Sequence, residues 1–200
     1  MDLIFLAMLI ATGVWTLKAR DQRRRIRLLG SHLGKYQIEK NMETLTEGYL
    51  RALGEDDSER REQIFNLLRA TEQAVCSQFS RFAADFAQVS ELEARVSKLP
   101  IDLPLVGRLL PSITYDMRQA IAIHARGIQQ AVEAAGQPSA KAAAFTVSAE
   151  LFLMQHSCHW FCRSKTVASA RMMARHKTAY AQLVAAVTPG TREAYCALVA

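Results

Sequence analysis

Residues 156–162 read His-Ser-Cys-His-Trp-Phe-Cys, the one stretch of the chain where ligand-type side chains crowd together. His156 and His159 are three residues apart and Cys158 and Cys162 four apart. On a helix each pair shares a face, as a metal held by imidazole nitrogen and thiolate sulfur requires. At ~100° per residue, however, His156 and Cys158 lie about 160° apart around the axis, so this helix alone does not converge four ligands. The workable sets are His159 with Cys162, or Cys158 with Cys162, completed from another helix by a residue such as His124. The competing expectation is plainer. Free cysteines among Phe, Trp and Met act as small hydrophobes, and each histidine is hydrogen-bonded or exposed. No metal or other cofactor is assigned on this evidence. The chain has no glycine-rich phosphate loop, zincin pair or nucleophile elbow, and the carboxylates of residues 55–62 fall in a solvated first turn, so it reads as a non-enzyme.

The elements that must carry this segment are helical. Nine glycines and five prolines interrupt 200 residues, and Ala, Leu, Gln, Glu and Arg, which lose least on entering a helix, dominate between them. The expected class is all-α: a single N-terminal transmembrane helix followed by a bundle of about four helices with long heptad-like stripes. Three regions follow: an anchor over 1–19, a basic collar and membrane-proximal helix over 20–54, and a bundle body over 55–200.

Ile26, Leu29 and Leu33 form one stripe, and Ile38, Met42, Leu45, Tyr49 and Leu53 a second. The two are offset at Gly30 and Gly34, where a kink or a turn of the buried face is expected. Gly54 and the acids after it stop one helix and start another. That helix carries the longest stripe, Phe65, Leu68, Val75, Phe79, Phe82, Phe86, Val89 and Val96, broken by Glu72 and Glu93. Such a stripe needs a facing helix, supplied by the chain itself or by a second protein. Phe65, Leu68, Val75, Phe79, Phe82 and Phe86 are therefore the partner-binding candidates. Pro100, Pro104 and Pro111 exclude a continuous helix, and the apolar loop between them is expected to lay Ile101, Leu103, Leu105 and Val106 over the end of the bundle. A third helix is expected over 112–135, with Met117, Ile121, His124, Ile128 and Val132 on one side and a stop at Gly136-Gln137-Pro138. A fourth is expected from Ser139 to Thr188, surrounded by neighbours near Phe152 to Phe161, before a short last helix from Thr191.

Charge gives the chain a direction. The net +6 is concentrated in two places and leaves the remainder acidic. Lys18, Arg20, Arg23, Arg24, Arg25 and Arg27 stand against Asp21 just after residues 3–17, LIFLAMLIATGVWTL, which contain no ionisable side chain. As a helix that run covers roughly 24 Å of a hydrocarbon core about 30 Å thick, a deficit that snorkelling lysine and arginine take up. A cleaved signal peptide has its positive charge before the apolar run, the reverse of the order here. The positive-inside rule puts the N-terminus outside and the body in the cytoplasm at the inner (plasma) membrane, with the collar touching anionic lipid headgroups. The second basic region, Arg163, Lys165, Arg171, Arg175, Lys177 and Arg192, contains no acid and is expected to be balanced by residues 55–62. Without interleaved exposed aromatics it does not read as a nucleic-acid surface. The functional expectation is a membrane-anchored cytoplasmic interaction or scaffold module with a protein partner or a second copy. A metal- or redox-responsive sensor using residues 156–162, and a subunit of a larger membrane complex, are the alternatives.

Overall fold

In the computed structural model the described residues are 2–101, 110–133 and 139–200. Among them are nine α-helices: α1 (Asp2–Leu33), α2 (Ile38–Leu53), α3 (Ser58–Phe86), α4 (Glu91–Ala94), α5 (Met117–Glu133), α6 (Ala140–Cys162), α7 (Lys165–His176), α8 (Tyr180–Ala186) and α9 (Pro189–Val199). The chain is overwhelmingly helical, as its composition requires.

α1 is one unbroken helix, long and apolar enough over its first part to cross a membrane. Its apolar side chains are exposed from Leu3 to Leu17, including Leu3, Phe5, Leu9 and Trp15. Only after that does it meet the rest of the protein, through Gln22 and Leu29, which are buried where α1 lies against α6. The expected shift at Gly30 and Gly34 is a break between two helices that run in the same sense along α3, with His32 against Phe86 and Tyr49 against Phe65. α1 ends at Leu33, the Gly34 N–H reaches back to the Gly30 carbonyl (2.9 Å), and α2 starts four residues later.

α2 buries Ile38, Met42, Leu45 and Tyr49, the stripe read from sequence, against α3. Asp57 caps α3, its carboxylate accepting from the N–H groups of Glu59 (2.9 Å) and Arg60 (3.4 Å). Asp57→Ala is expected to cost about 1 kcal/mol, read as a small fall in Tm. An unchanged Tm shows that solvent replaces the cap.

Two expectations about the middle of the chain need correction. α3 stops at Phe86, so Val89 and Val96 leave its stripe, although both remain buried. The all-α class holds, with one small addition to it. Two short strands, β1 (Arg95–Ser97) and β2 (Thr114–Asp116), pair antiparallel with Val96 opposite Tyr115. β-Branched and aromatic residues beside the helix-breaking Pro100 and Pro111 favour this ladder over a longer helix. The Trp160 indole N–H on α6 donates to the Ser97 carbonyl (2.9 Å) and ties the ladder to the core. Ile101, expected to pack, is exposed; Leu103, Leu105, Val106 and the Gly136-Gln137-Pro138 stop lie outside the described residues.

α6 is the central element. It contacts α1, α2, α5, α7 and α8 and buries residues on all its faces, as its apolar circumference predicts. The single long helix expected from Ser139 to Thr188 is instead three. Ser164 caps α7 by accepting from the Val167 N–H (3.3 Å), and Lys177 adopts a left-handed conformation (φ 53°) that ends it. Folding back this way brings Ala168, Met172 and Leu183 into the interior.

Candidate functional site

The last two turns of α6 carry Met154, Cys158, His159 and Cys162 to one wall of a groove. α1 supplies Ile26, Leu29, Gly30 and Leu33, the start of α2 supplies Ile38, Glu39 and Met42, and Arg163 and Arg171 stand at the rim. The volume is ≈ 390 Å³, at the lower end of the range for small-ligand sites.

Its electrostatics disfavour the thiolate form of both cysteines. Burial pushes the Cys158 thiol well up, with Cys162 adding to it. Burial also pushes Cys162 up to about 11, against the nearby arginines Arg171, Arg25 and Arg163. Both remain protonated at neutral pH and are poor nucleophiles. The Cys158 thiol instead contacts the Met154 sulfur at 3.8 Å. His159 is held down to about 4, first by burial and then by Arg171 and Arg175, so its ring is neutral. Its Nδ1 accepts from an Arg171 Nη1 N–H at 3.1 Å.

Cys158, His159 and Cys162 thus share one groove, but His124 does not join them. Its Nε2 lies 2.8 Å from Ser157 Oγ on a different face of α6, the face turned towards α5 and α9. The composite ligand set read from sequence is not assembled. Among the described residues no group of three or more His, Cys, Asp or Glu is placed to hold a metal ion.

His124 belongs to a polar seam that sequence reasoning missed. Ser157 Oγ approaches the Leu153 carbonyl (3.1 Å) and the Tyr195 hydroxyl (3.2 Å). Two turns earlier on α6, Glu150 Oε1 accepts from the Thr188 N–H and hydroxyl, both at 2.9 Å. The signal was available as spacing. Glu150 and Ser157 are seven apart, His124 and Gly127 three apart, and Thr191 and Tyr195 four apart, so each set stacks on one helical face. The Ser157–His124 distance is that of a nucleophile and its base. Here, however, both residues are fully buried, His124 Nδ1 has no hydrogen-bond partner among the described residues, and burial holds the ring down to about 3. The pair fastens α5 to α6 in the interior.

The collar is divided by helical phase. Arg25 turns inward, pairing with Asp21 (3.0 Å), donating to the Phe161 carbonyl (3.3 Å) and lying over the Phe161 ring. Lys18 is half-buried, and Arg24 bridges to Glu93 (2.6 Å). Arg20, Arg23 and Arg27 share the outer face, exposed and without an ion pair among the described residues. The later basic residues, Arg163 to Arg192, do not meet residues 55–62 in any ion pair among the described residues, which corrects the expected charge balance. Lys165 instead sits over Trp160 and Tyr180, and Arg192 donates to the Ala185 carbonyl.

The partner-binding candidates lie between α3 and its neighbours α2 and α5. Leu68, Val75, Phe79, Phe82 and Phe86 are buried, and Phe65 is half-buried against Tyr49. A second protein reaches this stripe only by displacing the chain's own helices.

No protein-family model matches the chain, and comparisons with curated proteins and with solved structures find no match either.

Proposed function

We propose that this chain is a single-pass membrane protein whose cytoplasmic helical bundle is a non-catalytic interaction module held against the inner face of the plasma membrane. The observation that carries this reading is the division of α1. Among the described residues nothing buries the apolar side chains of residues 3–17, whereas the same helix beyond Lys18 packs on α6 through Gln22, Arg25 and Leu29. A run of exposed Leu, Ile and Phe of this length is costly in water and stable in hydrocarbon. Arg20, Arg23 and Arg27 then face outward directly below it, where anionic headgroups attract them. Because the helix is continuous, the body is held rigidly at a fixed distance from the bilayer. Its partners are the lipid surface and a protein, or a second copy, that meets it there.

The test is fractionation of the full-length chain. Wild type is expected in the membrane pellet, released by detergent and not by high salt. A Leu6→Arg, Ile10→Arg double variant, at a cost of about 3 kcal/mol per arginine in the bilayer centre, is expected in the supernatant. In intact cells an impermeant maleimide should leave the exposed Cys196 unlabelled until the membrane is opened. Wild type found in the supernatant rejects the anchor, and labelling of Cys196 in intact cells rejects the orientation.

A further inference from the structure

The groove between α1, α2 and α6 is unlike the other surface hollows of the body. Its floor is Leu29, Ile38, Met42, Met154 and Cys158, all buried apolar side chains, with no ionised group among them. Its rim is basic, and its arginines form no ion pair among the described residues: Arg171 is bonded to the neutral ring of His159, and Arg163 to the neutral amide of Gln22. Glu39 is the only carboxylate among the described residues of the lining, and the two guanidiniums outweigh it. A guanidinium whose partners are neutral retains its full attraction for an anion.

Position narrows the ligand further. Ile26, at the membrane-side end of the groove, lies nine residues beyond Leu17 on one continuous helix, about 14 Å along its axis. Arg163 is bonded to Gln22, five residues and ~8 Å beyond Leu17, so a headgroup there leaves one acyl chain in the leaflet while the other, ~15 Å long, reaches Leu29.

We infer that the groove takes one acyl chain of an anionic membrane lipid, with the apolar tail over Leu29, Met42 and Met154 and the anionic headgroup at Arg171 and Arg163. This rests on the membrane-anchored reading above. The protein would then sample lipid charge at the leaflet it is tethered to, and an occupied groove would join α1 to α2 and α6 through the ligand.

Gly30 provides the means of testing it. A Cβ built there meets nothing within 4 Å, and the residue lines the groove. Gly30→Trp therefore brings its ring into the groove from a position with free space at the branch point, and tryptophan is the better helix former. The full-length chain is reconstituted in nanodiscs of phosphatidylcholine containing a phosphatidylglycerol with a photoactivatable diazirine in one acyl chain, and crosslinked peptides are mapped by mass spectrometry. Wild type is expected to carry label both in residues 3–17 and in the peptides around Met42 and Met154. In Gly30→Trp the groove label disappears and the anchor label stays. Arg171→Gln is expected to lower the groove label about fivefold, and moving the diazirine to the phosphatidylcholine is expected to lower it in wild type. Anchor label without groove label, or groove label indifferent to Gly30→Trp, overturns the inference and leaves the anchor standing. A groove without lipid label in a wild-type chain that crosslinks to itself, with Gly30→Trp monomeric, gives the face to a second copy. Absence of label in residues 3–17 overturns the anchored reading and this inference with it.

Discussion

Gly127→Ala is expected to lower the stability of the full-length protein by about 2 kcal/mol or more, although the same exchange in most helices raises it. A Cβ at position 127 would stand 2.1 Å from Thr191 Oγ1 and 2.5 Å from Glu150 Oε2. Neither atom is the free end of a surface side chain. Thr191 is 2% exposed and Glu150 0%, and the carboxylate is held through its other oxygen by the Thr188 N–H and hydroxyl. To admit one methyl group, α9 must draw away from α5 and α6 and stretch those hydrogen bonds. Overpacking costs roughly 1–3 kcal/mol and a loosened bond to a buried carboxylate adds to it, against a gain of about 1 kcal/mol in helix propensity. The loss prevails. Thermal unfolding in detergent measures it, with Gly30→Ala as the control: no atom lies near that Cβ, so there the propensity gain stands alone. Adding Thr191→Ala to Gly127→Ala should recover more stability than additivity allows. A Gly127→Ala protein as stable as wild type means that α9 does not seat where the seam requires.

Acidification is expected to destabilise the fold steeply below about pH 6.5, the ordinary histidine value. His124 is held down to about 3, and His156 and His159 to about 4, in each case chiefly by burial. Among the described residues His124 Nδ1 and His156 Nδ1 also lack hydrogen-bond partners. A histidine whose folded pKa is depressed contributes its full stability above its unfolded pKa. Between pH 6.5 and 4 the unfolded chain takes up protons that the folded one refuses. Each such proton tilts stability by about 1.4 kcal/mol per pH unit. Glu150 acts in the opposite sense. Burial raises its pKa against the lowering effect of Thr188 and Thr191, so it favours the folded state at low pH, but one such group does not offset three histidines. The measurement is Tm against pH from 8 to 4. His124→Gln, which cannot charge, should flatten the acid limb whatever it does to Tm at pH 8. A Tm independent of pH over this interval contradicts burial of the neutral rings.

The sites of these two predictions differ in how legible they were. That His124 lies on a buried helical face follows from its register with Met117, Ile121 and Ile128. Its bond to Ser157, and its absence from the thiol groove, do not. Which face of α6 meets α5 depends on where α5 starts, and that is set by the pairing of Arg95–Ser97 with Thr114–Asp116, a contact between residues far apart in the chain. The thiol groove was half visible. The shared face of Cys158 and Cys162 is a property of one helix, but its opposite wall comes from α1 and the start of α2, more than a hundred residues earlier.

Hydropathy and helical period are carried by near neighbours along the chain, which is why residue order alone determined the apolar N-terminal helix, its arginine collar, the buried face of α2 and the long stripe of α3. Tertiary structure alone decided which collar arginines turn inward, that the α3 stripe is covered by the chain's own helices, and that α6 to α8 are three helices and not one. These outcomes depend on turn geometry at Gly34, Ser164 and Lys177. A few dihedral angles there redirect whole helices, while altering local hydropathy not at all.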